Sequence, residues 1–162
     1  MAATDNFLKI SDVSGESKDA QHKGEIEVVG WDWGEKQQGT FALVGNGGGA
    51  GKVQMRDFRF KMRVNKATPK LLLACATGEH LKKATLVCRK AGKEQLEFLK
   101  ITLSDVLVSS YETGGDGGEV VPTDSITLNF AKLEVKYFPQ KADGTADAAV
   151  RAGYDLQQMT VI

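Results

Sequence analysis

An excess of either charge is missing from this chain, whose 21 Lys and Arg residues are matched by 21 Asp and Glu for a formal net charge of zero. With no general positive field, nothing draws it to nucleic acid or to an anionic membrane, and polyanion binding is excluded as its main role. A neutral surface also weakens repulsion between copies, which suits a protein that must accumulate in large numbers. Cysteine is scarce. Cys75 and Cys88 lie in the apolar runs Leu73-Ala74-Cys75-Ala76 and Leu86-Val87-Cys88; two are too few for a disulfide framework, and they read as buried thiols acting as small hydrophobes. No apolar run approaches about 18 residues, and MAATDNFLKI has no basic stretch followed by an apolar one, so neither a membrane helix nor a signal peptide is expected. Synthesis and folding are therefore expected in the cytoplasm, with any export in the folded state. Proline is rare at 3 residues against 18 glycines, which indicates many turns and leans toward β structure. At 162 residues the expectation is a single domain, 1–162, with its own hydrophobic core.

Alternation of period two is what the chain has in plenty. Phe58, Phe60, Met62 and Val64 fall on one side of a strand, with Arg59, Lys61 and Arg63 on the other, the signature of a half-buried strand. Further strands are predicted at Phe7 to Ile10, Glu25 to Trp31, Thr40 to Val44, Ala84 to Arg89, Gln95 to Ile101, Val106 to Tyr111, Ser125 to Tyr137 and near Tyr154 to Val161. Short strands divided by Gly, Asp and Ser turns describe a mainly β barrel or sandwich. Within Ser125 to Tyr137 the apolar set moves from Ile126, Leu128 and Phe130 to Leu133, Val135 and Tyr137. Either a β-bulge restores one inward face, or the strand passes from one sheet to another.

One helix breaks the β pattern. Thr68 is placed to cap, Pro69 suits the first helical position, and Gly78 suits the left-handed residue that ends the helix. Leu71, Leu72 and Cys75 give the expected apolar stripe.

Few residues suggest chemistry. Gly45 to Lys52 imitates the end of a phosphate-binding loop, but Asn46 stands where that pattern needs Gly, and Val53 where it needs Ser or Thr. The segment that follows alternates as a strand, so no helix N-terminus is offered to phosphate. Cys75, His80, Cys88 and the distant His22 have no zinc spacing, and both histidines read as surface or turn residues. Ser17, His22 and Asp32, or Cys88 and His80, lack any nucleophile signature. Trp31 and Trp33 flank Asp32 and point to one face, where a subunit contact is favoured over barrel-end packing. No catalytic, cofactor-binding or metal residue is therefore assigned, and no enzyme is expected.

The opening stretch carries more. Phe7-Leu8-Lys9-Ile10, the Gly15-Glu16-Ser17-Lys18-Asp19 turn, His22, and Gly24-Glu25-Ile26 into Trp31 resemble the start of the haemolysin-coregulated (Hcp) proteins. These are tube subunits of the bacterial type VI secretion system. The likeness continues through Asp57-Phe58-Arg59-Phe60, PKLLLACATGEH from Pro69 to His80, Ala84 to Gly92, Phe98 to Ile101, Asp105 to Tyr111 and Gly153-Tyr154-Asp155. The chain departs from the family at Asn65-Lys66-Ala67-Thr68, at Tyr154 where Trp is frequent, and at its ending, Met159 to Ile162.

The resemblance implies a two-sheet antiparallel β-barrel with one short α-helix beside it. It implies a homohexameric ring that stacks into a tube, is propelled out of the cell and shelters small effectors in its lumen. The implied partners are other copies of the chain, the sheath, the tip protein and effectors, without nucleic acid, membrane or cofactor. Localisation would be cytoplasmic first, then the extracellular medium or a target cell. The glycine-rich loop Gly45, Asn46, Gly47, Gly48, Gly49, Ala50, Gly51 and Lys52 corresponds to the family's ring-stacking loop. The alternatives from other classes are a monomeric barrel holding a small apolar ligand and a secreted effector.

Overall fold

In the computed structural model, which describes residues 3–39, 52–93, 95–118 and 120–162, period-two alternation becomes antiparallel sheet almost wherever it occurs. The strands are β1 (Thr4–Ile10), β2 (Ile26–Glu27), β3 (Gly30–Asp32), β4 (Glu35–Lys36), β5 (Gln54–Met55) and β6 (Phe58–Arg63). After the helix α1 (Ala67–Thr77) come β7 (His80–Lys90), β8 (Glu97–Gly114), β9 (Thr123–Tyr137), β10 (Val150–Asp155) and β11 (Thr160–Val161). The main sheet runs β11-β10-β9-β8-β7-β1-β2, with β6 joined to β9 and β3 to β6, while β4 and β5 pair apart. The predicted Thr40 to Val44 strand lies outside the described residues. The two pieces predicted at Gln95 to Ile101 and Val106 to Tyr111 are one long strand, β8.

The sheet wraps into a barrel without an unbroken ring of ladders. Its closure falls on the segment from Ile26 to Asp32, where Ile26 and Glu27 pair with β1 and residues 30–32 pair with β6. The handover takes two adjacent residues: the Val28 amide donates to the Asn6 carbonyl at 2.9 Å, and the Val29 amide to the Lys61 carbonyl at 2.8 Å. Inside lie Phe58, Phe60 and Met62 of β6, fully buried as predicted, with Leu8, Ile26, Leu86, Leu103, Val106, Ile126 and Leu128. Burying each such side chain contributes roughly 1.5–3 kcal/mol, so this alternation is the main reason the barrel forms.

The phase change in β9 has a clear origin. Residues 123–128 pair with β6, and residues 132–137 pair with β10, so the strand changes neighbours across residues 129–131. Register with β8 is kept there: Phe130 pairs with Val106 and Lys132 with Ser104. The neighbouring strands flip together, since β8 buries Ile101 and Leu103 and then Val106 and Val108, and β7 buries Leu81 and then Ala84, Leu86 and Cys88. Asp105, at the turning level, has φ of 54°, a left-handed conformation that Asp tolerates better than most residues. Neither expectation is met as stated: β9 stays within one sheet and exchanges β6 for β10 along one side. A bulge exists, but at Ser109 of β8, between the Val108–Leu128 and Ser110–Thr127 pairs.

The helix forms where expected, with two corrections. Thr68 is not the cap. Asn65 Oδ1 accepts the Ala67 amide at 2.8 Å while Thr68 Oγ1 accepts the Asn65 amide at 3.1 Å, a reciprocal box that starts the helix earlier. The apolar face is Ala67, Leu71 and Ala74, packed on β8, whereas Leu72 and Leu73 point outward. Spacing of three and four residues decides this, and Leu72 lies off that line. Gly78 ends the helix at φ 70°, its amide donating to the Ala74 carbonyl.

Candidate functional site

Of the predicted loop, Gly45 to Gly51 lie outside the described residues. Lys52 is exposed and stands at the root of the connection, where β4 and β5 pair through Glu35 with Met55 and Lys36 with Gln54. The strand β5 follows Lys52 almost at once, as the argument against a phosphate loop required. The root borders a groove of about 690 Å³, lined by Trp33, Met55, Leu133, Val135, Tyr154 and Met159 among others. Trp31 and Trp33 both pack against the core, the first near-parallel to Phe58 at 6.0 Å, the second tilted toward Phe130 at 6.4 Å. Both tryptophans therefore contribute to barrel packing while staying partly exposed.

Among the described residues, apolar side chains break the surface at several places. Val29, Val121 and the fully exposed Val120 line one groove with Arg63 at the tip of the β8–β9 hairpin. Leu72 and Leu73 stand about half exposed on α1. At the other end of β9, Tyr137 and its partner Val150 face solvent, and Val161 and Ile162 are exposed further along β10. Tyr137, expected in the core, is therefore on the surface. Beside these patches lies a hydroxyl-rich face where Asp57 accepts from Ser109 at 2.6 Å and from Asn129 at 2.9 Å. Thr127 there bonds to both Ser109 and Ser110.

The titratable groups are used in structure. His22, read as a surface or turn residue, is a buried turn residue; its Nδ1 lies 3.0 Å from Glu25 and its Nε2 2.7 Å from Glu97, and its ring stacks on Phe7 at 4.4 Å. Arg89 is buried beside it, bound to Asp19 at 2.7 Å and Asp5 at 3.1 Å. The Arg89 guanidinium, helped by the Gln21 amide, holds the Asp19 carboxyl at about 2. Glu97 as partner of His22, and Asp5 and Asp19 as partners of Arg89, are distant in sequence, and no local spacing announced them. The proposed triads do not assemble: both His22 nitrogens face carboxylates, Asp32 is paired with Arg56 elsewhere at 3.8 Å, and His80 and Cys88 sit at opposite ends of β7. Among the described residues no three metal-ligating side chains gather, and no helix is long and apolar enough to cross a membrane. Cys75 and Cys88 are free thiols, and burial pushes Cys88 up to about 11.

Residues 7–137 match the family described as "Type VI secretion system effector, Hcp". The chain belongs to the Hcp family. It is 51% identical over 158 residues to protein hcp1 of Pseudomonas aeruginosa, covering 96% of this chain and 97% of that one. Among solved structures it is similar to Hcp1 from Salmonella typhimurium, with TM-score 0.82 and 35% identity over 99% of this chain and all of that one. A type six secretion system protein gives TM-score 0.93 with 28% identity, again over 99% and 100% of the two chains. The Hcp fold and the type VI secretion assignment that the opening residues implied are both met.

Proposed function

We propose that this Hcp protein is a subunit of the type VI secretion inner tube: six copies close into a ring, rings stack, and the assembly is exported with small effectors in its bore. The observation that carries the reading is the family match over most of the chain. A ring needs a head-to-tail interface, in which two different surfaces of one copy fit each other and the rotation closes the circle. The separate apolar patches at Val120–Val121, Leu72–Leu73 and Tyr137–Val150 supply distinct surfaces of that kind. The outer strand β10 adds an edge, because β11 pairs with it only at Tyr154 and Asp155. Zero net charge leaves little repulsion between copies to overcome.

The glycine-rich residues Gly45 to Lys52 are assigned to ring stacking, since a connection rising from the β4–β5 pair can settle against the next ring. Deleting Asn46 to Gly51 should leave rings intact and weaken stacking; tubes forming unchanged would remove this assignment. The apolar-ligand carrier is disfavoured because Phe58, Phe60, Met62 and Leu128 fill the interior. The sheath, tip protein and effectors are the partners this reading requires. Light scattering and electron microscopy of the purified protein test it.

A further inference from the structure

The connection between β1 and β2 covers the outer face of the sheet, and its grip centres on His22. Its backbone is ordered by amide bonds that include Gly15 to the Gly24 carbonyl at 2.8 Å, Ser17 to Glu25 at 3.0 Å and Gly24 to Ser17 at 2.8 Å. Two side-chain anchors then reach outward. Asp19 binds Arg89 of β7, and Glu16 accepts the Lys66 amide at 3.0 Å at the start of α1. The third anchor is His22, whose two ring nitrogens each meet a carboxylate, Glu25 within the connection and Glu97 on β8. An ionised carboxylate only accepts, and a neutral imidazole has one N–H. Satisfying both sides therefore takes a ring carrying two protons.

We propose that Glu25–His22–Glu97 is a proton-dependent latch: with both ring nitrogens protonated it holds the 14–25 connection against β8, and loss of one proton releases one side. Glu25 and Glu97 contact the ring, while Asp5 and Asp19 are taken up by Arg89. Lys9 of β1, Lys83 of β7 and Lys100 of β8 line the same groove and oppose that proton, as does Lys136 of β9, which is paired with Glu134. None of these lysines bonds to the ring, and their charges reach it through solvent, while the two carboxylates touch it. Phe7 beneath the ring fixes its plane so that both contacts form together. Because the connection also holds the first turn of α1, release on one side loosens the path from the sheet to the helix. This inference does not depend on ring formation.

The test is amide hydrogen exchange of Gly15, Ser17 and Gly24, corrected for intrinsic rates, across the imidazole range from about pH 5.5 to about pH 8.5. Wild type should lose protection about tenfold as pH rises, the factor expected from one charge-assisted hydrogen bond. His22→Gln should start with lower protection and show no such change, and Glu97→Gln should show a smaller one. The amide of Phe60 in β6 reports whether the barrel stays folded throughout. Constant protection in wild type would overturn the latch, as would an equal loss in wild type and His22→Gln. In nitrogen spectra of His80→Gln, which leaves His22 as the only histidine, a ring with a single N–H at the low end of the range would overturn it too.

Discussion

Removing one hydroxyl, that of Thr68, should cost far more than a lost helix cap. Thr68 Oγ1 accepts the Asn65 amide and also donates to Asp124 Oδ2 at 2.7 Å. Asp124 is fully buried, and Tyr111 donates to its other oxygen at 3.0 Å. Thr68→Val keeps the shape and removes both bonds. A hydrogen bond to a carboxylate contributes about 1.5–3 kcal/mol, and the reciprocal capping contact about 1 kcal/mol. The loss should thus be roughly 2–4 kcal/mol, which for a chain of this length lowers Tm by roughly 5–15 °C. Urea unfolding of Thr68→Val, Tyr111→Phe and the double variant measures it, and the two substitutions should be non-additive because they share Asp124. A cost below about 0.5 kcal/mol for Thr68→Val would refute the claim that this hydroxyl ties the helix to the barrel.

Other consequences are equally specific. An added Cβ at Gly15 would lie 2.4 Å from the Glu25 carbonyl oxygen and 2.7 Å from Ile26 Cα, so Gly15→Ala should destabilise by about 1–3 kcal/mol. Gly30→Ala, with open space and no positive φ, should be close to neutral in the same urea unfolding assay. The Asp19 carboxyl, held at about 2 by Arg89 against 3.8 in the unfolded chain, contributes stability that is complete above about 3.8 and is lost as pH falls through about 2. Asp19→Asn should flatten that part of the acid unfolding curve, and an unchanged curve would argue against the pairing. Thiol labelling at mildly alkaline pH should modify the partly exposed Cys75 well before Cys88, whose thiolate is suppressed by burial; equal rates would contradict this.

How much was legible follows from the range over which each signal acts. Alternation at Phe58 to Arg63 fixed its strand, because burial on one face of a sheet is written in every second residue. Gly78 marked the helix end, because a left-handed cap has a residue preference of its own. The cap at the other end was misassigned, since Asn65 and Thr68 both satisfy the rule and only the position of Asp124, 56 residues away, draws Thr68 inward. Leu72 and Tyr137 were expected inside because an apolar residue looks alike in the core and on a contact surface. His22 was the largest miss. Its neighbour Glu25 was visible at three residues' distance, but Glu97 meets it only through the pairing of β7 with β8 and the folding back of the 14–25 connection. The family likeness survived these local errors because it rested on the order of many segments rather than on any one side chain.

Self-assembly is the central claim, and the mass and shape of the purified protein in solution test it most directly. Light scattering should give about six times the 17.5 kDa of one chain, with annular particles in negatively stained micrographs of the same sample. A mass of one chain at every concentration, without annuli, would contradict the account.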